Sequence, residues 1–181
     1  ARQAAMHAME MTCDSDGDHG RLFPPDAPAA EEVLGTPGFA LFTALRERIT
    51  DHVRESYGEV RSAGSLISWI SMGRLDVTHT DPELRSFNCM EDPIVGTYAP
   101  HVDKANRLEY DISALLYLST RGKDFSGGHF AFNDPDYDLL VEPRAGRLLT
   151  FQSGFENPHQ VRPVLAGDRL VLSVWFSLTP T

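Results

Sequence analysis

The stretch Arg169 to Leu178 constrains the fold more than any other. RLVLSVWFSL is rich in β-branched and aromatic residues, so it reads as a strand, and along a strand alternate side chains share a face. Arg169, Val171, Ser173 and Trp175 then point one way, and Leu170, Leu172, Val174 and Phe176 the other. One face is apolar throughout, while the opposite face carries a cation. An arginine on the inside of a sheet is costly unless an anion meets it, so this polar face is expected to line a pocket that receives an acidic ligand.

Similar runs precede it. SLISWISMG (65–73), VGTYAPHV (95–102), DISALLYLS (111–119), GHFAF (128–132), DLLVE (138–142), RLLTF (147–151) and HQVRPV (159–164) are separated by GG, DPD, PRAG and AGD turns. Short strands with little helix between them predict a mainly β chain: a sandwich, jelly roll or closed barrel. The clearest helix lies upstream. Thr36 as N-cap, Pro37 in the first turn and Gly58 just past the end bracket a segment in which Phe42, Leu45, Ile49 and Val53 recur at helical spacing. That apolar stripe is expected to cover the greasy face of the sheet.

The 181 residues, 41% of them apolar, suit a single domain: an N-terminal arm over 1–37, a supporting helix over 38–58 and a β core over 65–178. In the arm a short helix is expected through AAMHAMEM, followed by turn-forming acids, glycines and prolines. Asp14, Asp16 and Asp18 do not make a calcium loop, because Gly17 falls one place early and no glutamate closes the set. The polar stretch THTDPELRSFNCMEDP (78–93) is a candidate lid or substrate loop. A formal charge of −10 argues against nucleic acid as a partner, and no apolar run reaches membrane length. Two cysteines, Cys13 and Cys89, are too few for a disulfide framework but could form one bridge. The chain opens on Ala1 rather than Met, so targeting information could precede it.

His101 and Asp103 are two apart and share a face if extended, with Val102 turned away into packing. A third ligand from a distant strand would complete two histidines and one carboxylate, the facial set that leaves metal positions open on non-haem Fe(II). His159 is the candidate, and His129, behind Gly127 and Gly128, is the rival. His7, His19, His52 and His79 lack partner spacing. Tyr117 sits on the polar-capable face of its strand and could add a hydrogen bond beside Arg169, or could equally be a core tyrosine.

H-x-D, a strand ending in Tyr-Leu, DFSGG, GRLLTF, NPH, and an arginine followed six residues later by Trp175 together resemble the Fe(II)- and 2-oxoglutarate-dependent dioxygenases of the prolyl hydroxylase type. YDISALLYLS, DFSGGHFAF and GFENPHQVRPVLAGDRLVLSVWFSL are most similar to the catalytic domain of leprecan prolyl 3-hydroxylases, with weaker similarity through VRESYGEV and SDGDHGR. The resemblance implies a double-stranded β-helix (jelly roll) with a supporting N-terminal helix. It implies iron on His101, Asp103 and His159, and the distal carboxylate of 2-oxoglutarate on Arg169 and Tyr117, with Ser173 and Tyr98 close by. Fe(II), 2-oxoglutarate, O2 and ascorbate are the implied cofactors, and the implied partner is a proline-containing peptide or protein in the secretory pathway. The link HVDKANRLEYD is shorter than in animal leprecans, His129 replaces their usual residue, and neither a helical-repeat domain nor an endoplasmic-reticulum retention tail is seen. Collagen is therefore not the expected substrate. The alternatives are the same chemistry on another residue or a small molecule, a cupin-like metal protein that does not turn over 2-oxoglutarate, and a non-catalytic binding module that keeps the fold.

Overall fold

The structure, a computed structural model, describes residues 20–23, 29–71 and 98–178. The expected helix at AAMHAMEM, the acidic turn of Asp14, Asp16 and Asp18, the candidate lid at 78–93, Cys13, Cys89, His7, His19 and His79 lie outside the described residues.

Helix α1 runs Ala29–Tyr57 with a break at Gly35, whose φ of 66° and ψ of 162° are not helical. The break falls one residue before the Thr36–Pro37 pair, so a second helical segment starts close to where those residues predict one. A preceding segment, with Glu31 and Glu32 in its first turn, extends the helix into what the sequence suggests is arm. At the other end Gly58 takes φ 86° and donates its N–H to the Arg54 carbonyl, as a C-terminal glycine does.

The strands form two antiparallel sheets. The larger runs β1 (Gly20–Phe23), β2 (Arg61–Ser71), β10 (Val164–Ser177), β4 (Ile112–Tyr117) and β8 (Leu148–Gln152), with β5 (Phe125–Gly127) pairing the start of β10. The smaller orders β3 (Tyr98–His101), β9 (His159–Val161), β6 (Phe130–Phe132) and β7 (Leu139–Val141). This is the expected double-stranded β-helix, and α1 supports its outer face. Phe42, Ile49 and Val53 are buried against Ile67, Trp69, Ile112, Ala114, Leu170, Leu172, Val174 and Phe176, with Leu45 half-buried at the margin. Each fully buried side chain of this size stabilises the fold by roughly 1.5–3 kcal/mol. Between the sheets lies a second cluster of Tyr117, Phe130, Phe151 and Val171.

Three local expectations change. Gly20–Phe23, read as arm, adds a strand to β2 and covers what would be an open edge. β2 begins at Arg61 rather than 65. Ala166-Gly167-Asp168, read as a turn, lies inside the continuous β10, where Gly167 at φ 75° passes so close to β5 that a Cβ would lie 2.2 Å from the Asp124 carbonyl oxygen. The glycine there allows a bulged strand to hand its pairing from β5 to β2 and β4.

Candidate functional site

His101 and His159 stand directly opposite each other where β3 pairs with β9. Cross-strand partners put their Cβ atoms about 5 Å apart, and here the two imidazole centroids are 4.4 Å apart. Val102 is extended, but Asp103 opens the short helical turn α2 (Asp103–Asn106), so the ligand pair spans a strand end and a turn rather than one strand. His101 Nε2 is 3.5 Å and His159 Nε2 3.7 Å from Asp103 Oδ1. One donor atom from each of the three residues lies within 4.8 Å of the others, the spacing of a metal site. His129 stands outside this group; its backbone carbonyl accepts from Arg162 N, and burial with the Arg121 charge pushes its pKa down. His52 is exposed on α1 beside Glu55.

Protonation states suit metal binding. Burial pushes His159 below the usual histidine range against the pull of Asp103, and its Nδ1 is 2.9 Å from the Asn157 carbonyl. A neutral ring that donates Nδ1–H there turns the Nε2 lone pair toward Asp103 and His101. Burial alone would raise Asp103, but hydrogen bonding with His101, attraction to His159 whenever that ring is protonated, and bonds from Ser113 and Trp175 outweigh it and hold the carboxyl below its ordinary value. Phe130, Phe132 and Phe151 surround His159, with Phe130 stacked at 5.0 Å and 24°.

The same cavity is lined by Arg169, Val171, Ser173 and Trp175, the alternate face of β10, together with Ser113 and Leu115 of β4 and Ser68 of β2. Arg169 is 1% exposed and its Nε donates to the Gly128 carbonyl at 3.1 Å. Gly128, at φ 62°, is hemmed in on several sides, since a Cβ would fall 2.8 Å from the Phe125 ring, 3.1 Å from Val164 and 3.2 Å from Arg169 Cδ. Gly128 thus seats the cation, a role the sequence signals only as a Gly-Gly turn. The guanidinium lies 5.6 Å from the Tyr117 ring centroid. Burial raises the Tyr117 phenol against the opposing charges of Arg169 and Arg147, so it stays protonated at neutral pH. Its hydroxyl is enclosed, with the Arg169 side chain against its oxygen but no acceptor of normal geometry for its proton among the described residues. A carboxylate reaching Arg169 would give that hydroxyl the acceptor it lacks, so an acidic ligand fits. Ser173 is buried on the cavity wall. Tyr98 pairs with Val161 on β3, and its side chain lies outside the described residues.

The sequence profile of the 2OG-Fe(II) oxygenase superfamily matches residues 86–177. The "2-oxoglutarate and iron-dependent oxygenase domain-containing protein 3" of Rattus norvegicus is 30% identical over 150 residues, 83% of this chain and 44% of its own length. "Prolyl 3-hydroxylase 2" of Gallus gallus is 36% identical over 103 residues, 55% of this chain and 12% of its own. The chain thus spans less than half of either relative. A prolyl-4-hydroxylase structure from Pseudomonas putida superposes with a TM-score of 0.53 at 19% identity, covering 96% of this chain and 91% of that one, which shows a shared fold.

Proposed function

As the chain belongs to the 2OG-Fe(II) oxygenase superfamily, we propose that it is a hydroxylase that couples 2-oxoglutarate and O2 to oxidation of a C–H bond on a peptidyl proline. One observation carries this reading: the cavity that holds the donor atoms of His101, Asp103 and His159 is also lined by the buried guanidinium of Arg169. His101, Asp103 and His159 would hold Fe(II), two histidines and one carboxylate being a donor set suited to that metal. Iron bound there supplies the redox chemistry in which 2-oxoglutarate, O2 and a substrate C–H give succinate, carbon dioxide and the alcohol.

The residues of the chain do the remaining work. Arg169, anchored on Gly128, offers its guanidinium to the distal carboxylate of 2-oxoglutarate, and the Tyr117 hydroxyl donates to the same group. Ser173 is the further polar contact on that wall. Leu115, Val161 and Val171 flank the aliphatic part of the cosubstrate, and Phe130 keeps water from the His159 side. The name of the 36% identical relative supports peptidyl proline as the target.

The test is aerobic turnover with Fe(II), 2-oxoglutarate, ascorbate and a proline-containing peptide library, reading succinate together with peptide mass. Succinate release coupled to a peptide heavier by one oxygen on proline is the expected result. Oxygen on another residue would keep the chemistry and reject the substrate, and absence of succinate with metal bound would reject the whole reading.

A further inference from the structure

The geometry points to Ser153 and Ser113 as a hydroxyl relay that positions Asp103 to bind metal through one oxygen; this rests on the reading of His101, Asp103 and His159 as a metal centre. Asp103 Oδ1 faces both histidines, while Oδ2 accepts a hydrogen bond from Ser113 Oγ at 2.6 Å. Ser113 Oγ is in turn 2.6 Å from Ser153 Oγ. An ionised carboxylate only accepts, so the single Ser113 proton is committed to Asp103, and the contact between the serines must run from Ser153 to Ser113. With Asp103 ionised, donor count sets the direction Ser153 to Ser113 to Asp103.

The relay is built into the ladder. On β4 and β8 Ser113 stands opposite Phe151, so Ser153, two residues on, shares its face diagonally. Ser153 N donates to the Asp111 carbonyl at 2.9 Å, and Lys104 N donates to the Ser153 carbonyl at 3.0 Å. Lys104 Nζ also pairs with Asp111 Oδ1 at 2.5 Å. The turn that carries Asp103 is therefore tied at its backbone to the residue whose hydroxyl starts the relay. Both serines are 1% exposed, which leaves solvent no access to replace either hydroxyl.

A carboxylate free to rotate could chelate through both oxygens and occupy a position that cosubstrate or O2 requires. Hydrogen bonding at Oδ2 opposes that rotation and keeps Oδ1 aimed between the histidines. Partners of this kind around a ligand commonly affect metal affinity by roughly ten- to a hundredfold.

The test is anaerobic titration of the full chain with Co(II), a spectroscopic stand-in for Fe(II), followed by its ligand-field bands, for wild type, Ser113→Ala, Ser153→Ala and the double variant. Melting of the metal-free proteins monitors folding. Ser113→Ala should bind roughly ten- to a hundredfold more weakly with altered bands, and Ser153→Ala should lose less. The double variant should match Ser113→Ala, because a relay already cut cannot be cut again. Affinity and bands of Ser113→Ala equal to wild type, or a Ser153→Ala loss undiminished in the Ser113→Ala background, would overturn the relay. Should Ser113→Ala not fold, Ser153→Ala is set against Ser153→Thr, which restores the hydroxyl; recovery supports the relay and equal loss overturns it. Succinate production by wild type reports separately on the proposed function, so either reading can fail without the other.

Discussion

Arg169→Ala is expected to weaken 2-oxoglutarate binding by roughly ten- to a hundredfold, with little change in metal affinity. Two hydrogen bonds from a guanidinium to a carboxylate are worth about 3–6 kcal/mol together. Part of that is offset, since the variant no longer holds a guanidinium at 1% exposure out of water. A net loss of about 1.4–2.8 kcal/mol corresponds to the stated range. Arg169→Lys should fall between, because an ammonium keeps the charge but loses both the planar fork and the Nε contact to Gly128. Tyr117→Phe removes one neutral donor, worth about 0.5–1.5 kcal/mol, so its loss should be smaller and in the same direction. It also has a signature in the ligand-free fold. There the hydroxyl has no acceptor of normal geometry and only the Arg169 side chain against its oxygen, so its removal should change the stability of that state by no more than about 1 kcal/mol. The measurement is calorimetric titration of 2-oxoglutarate under anaerobic conditions with an inert divalent metal, alongside melting of each ligand-free variant. Equal affinities across the set would refute the carboxylate pocket. A Tyr117→Phe protein clearly less stable than wild type would refute the account of the phenol.

Alanine at His101, Asp103 or His159 should abolish turnover and metal retention while the fold persists, whereas His129→Ala should keep the metal; metal content after dialysis with circular dichroism decides, and loss of metal only in His129→Ala would reverse the assignment. Ile49→Ala, at 3% exposure, should cost roughly 2–5 kcal/mol in denaturant unfolding with activity per folded molecule unchanged, while half-buried Leu45→Ala should cost less. Gly167→Ala should destabilise by about 1–3 kcal/mol or more, from its φ of 75° and the approach to the Asp124 carbonyl, and a neutral result would mean that the bulge relaxes freely.

Periodicity in the sequence determines much of this protein. The alternation of 169–178 separates Leu170, Leu172, Val174 and Phe176, which meet α1, from Arg169, Val171, Ser173 and Trp175, which line the cavity. Such a pattern is legible because the strand repeat is two and a one-residue slip would bury the wrong set. Gly58 and the Thr36–Pro37 pair likewise mark helix ends by local backbone chemistry. What the sequence could not carry is pairing between distant segments. GRLF reads as arm until the open edge of β2 is seen to need a partner, and AGD reads as a turn because only the approach of Asp124 shows that Gly167 belongs to a bulged strand. The juxtaposition of His101 with His159 depends on register across fifty-odd residues of intervening chain, where residue types suggest a ligand set but no local rule brings the rings together. Gly128 and Ser153 were hidden for the same reason: one acts through a backbone carbonyl and the other through a second hydroxyl, and such contacts have no sequence period. Tertiary packing alone decides them, because a buried carboxylate or guanidinium must find hydrogen-bond partners among whatever groups the fold brings within reach.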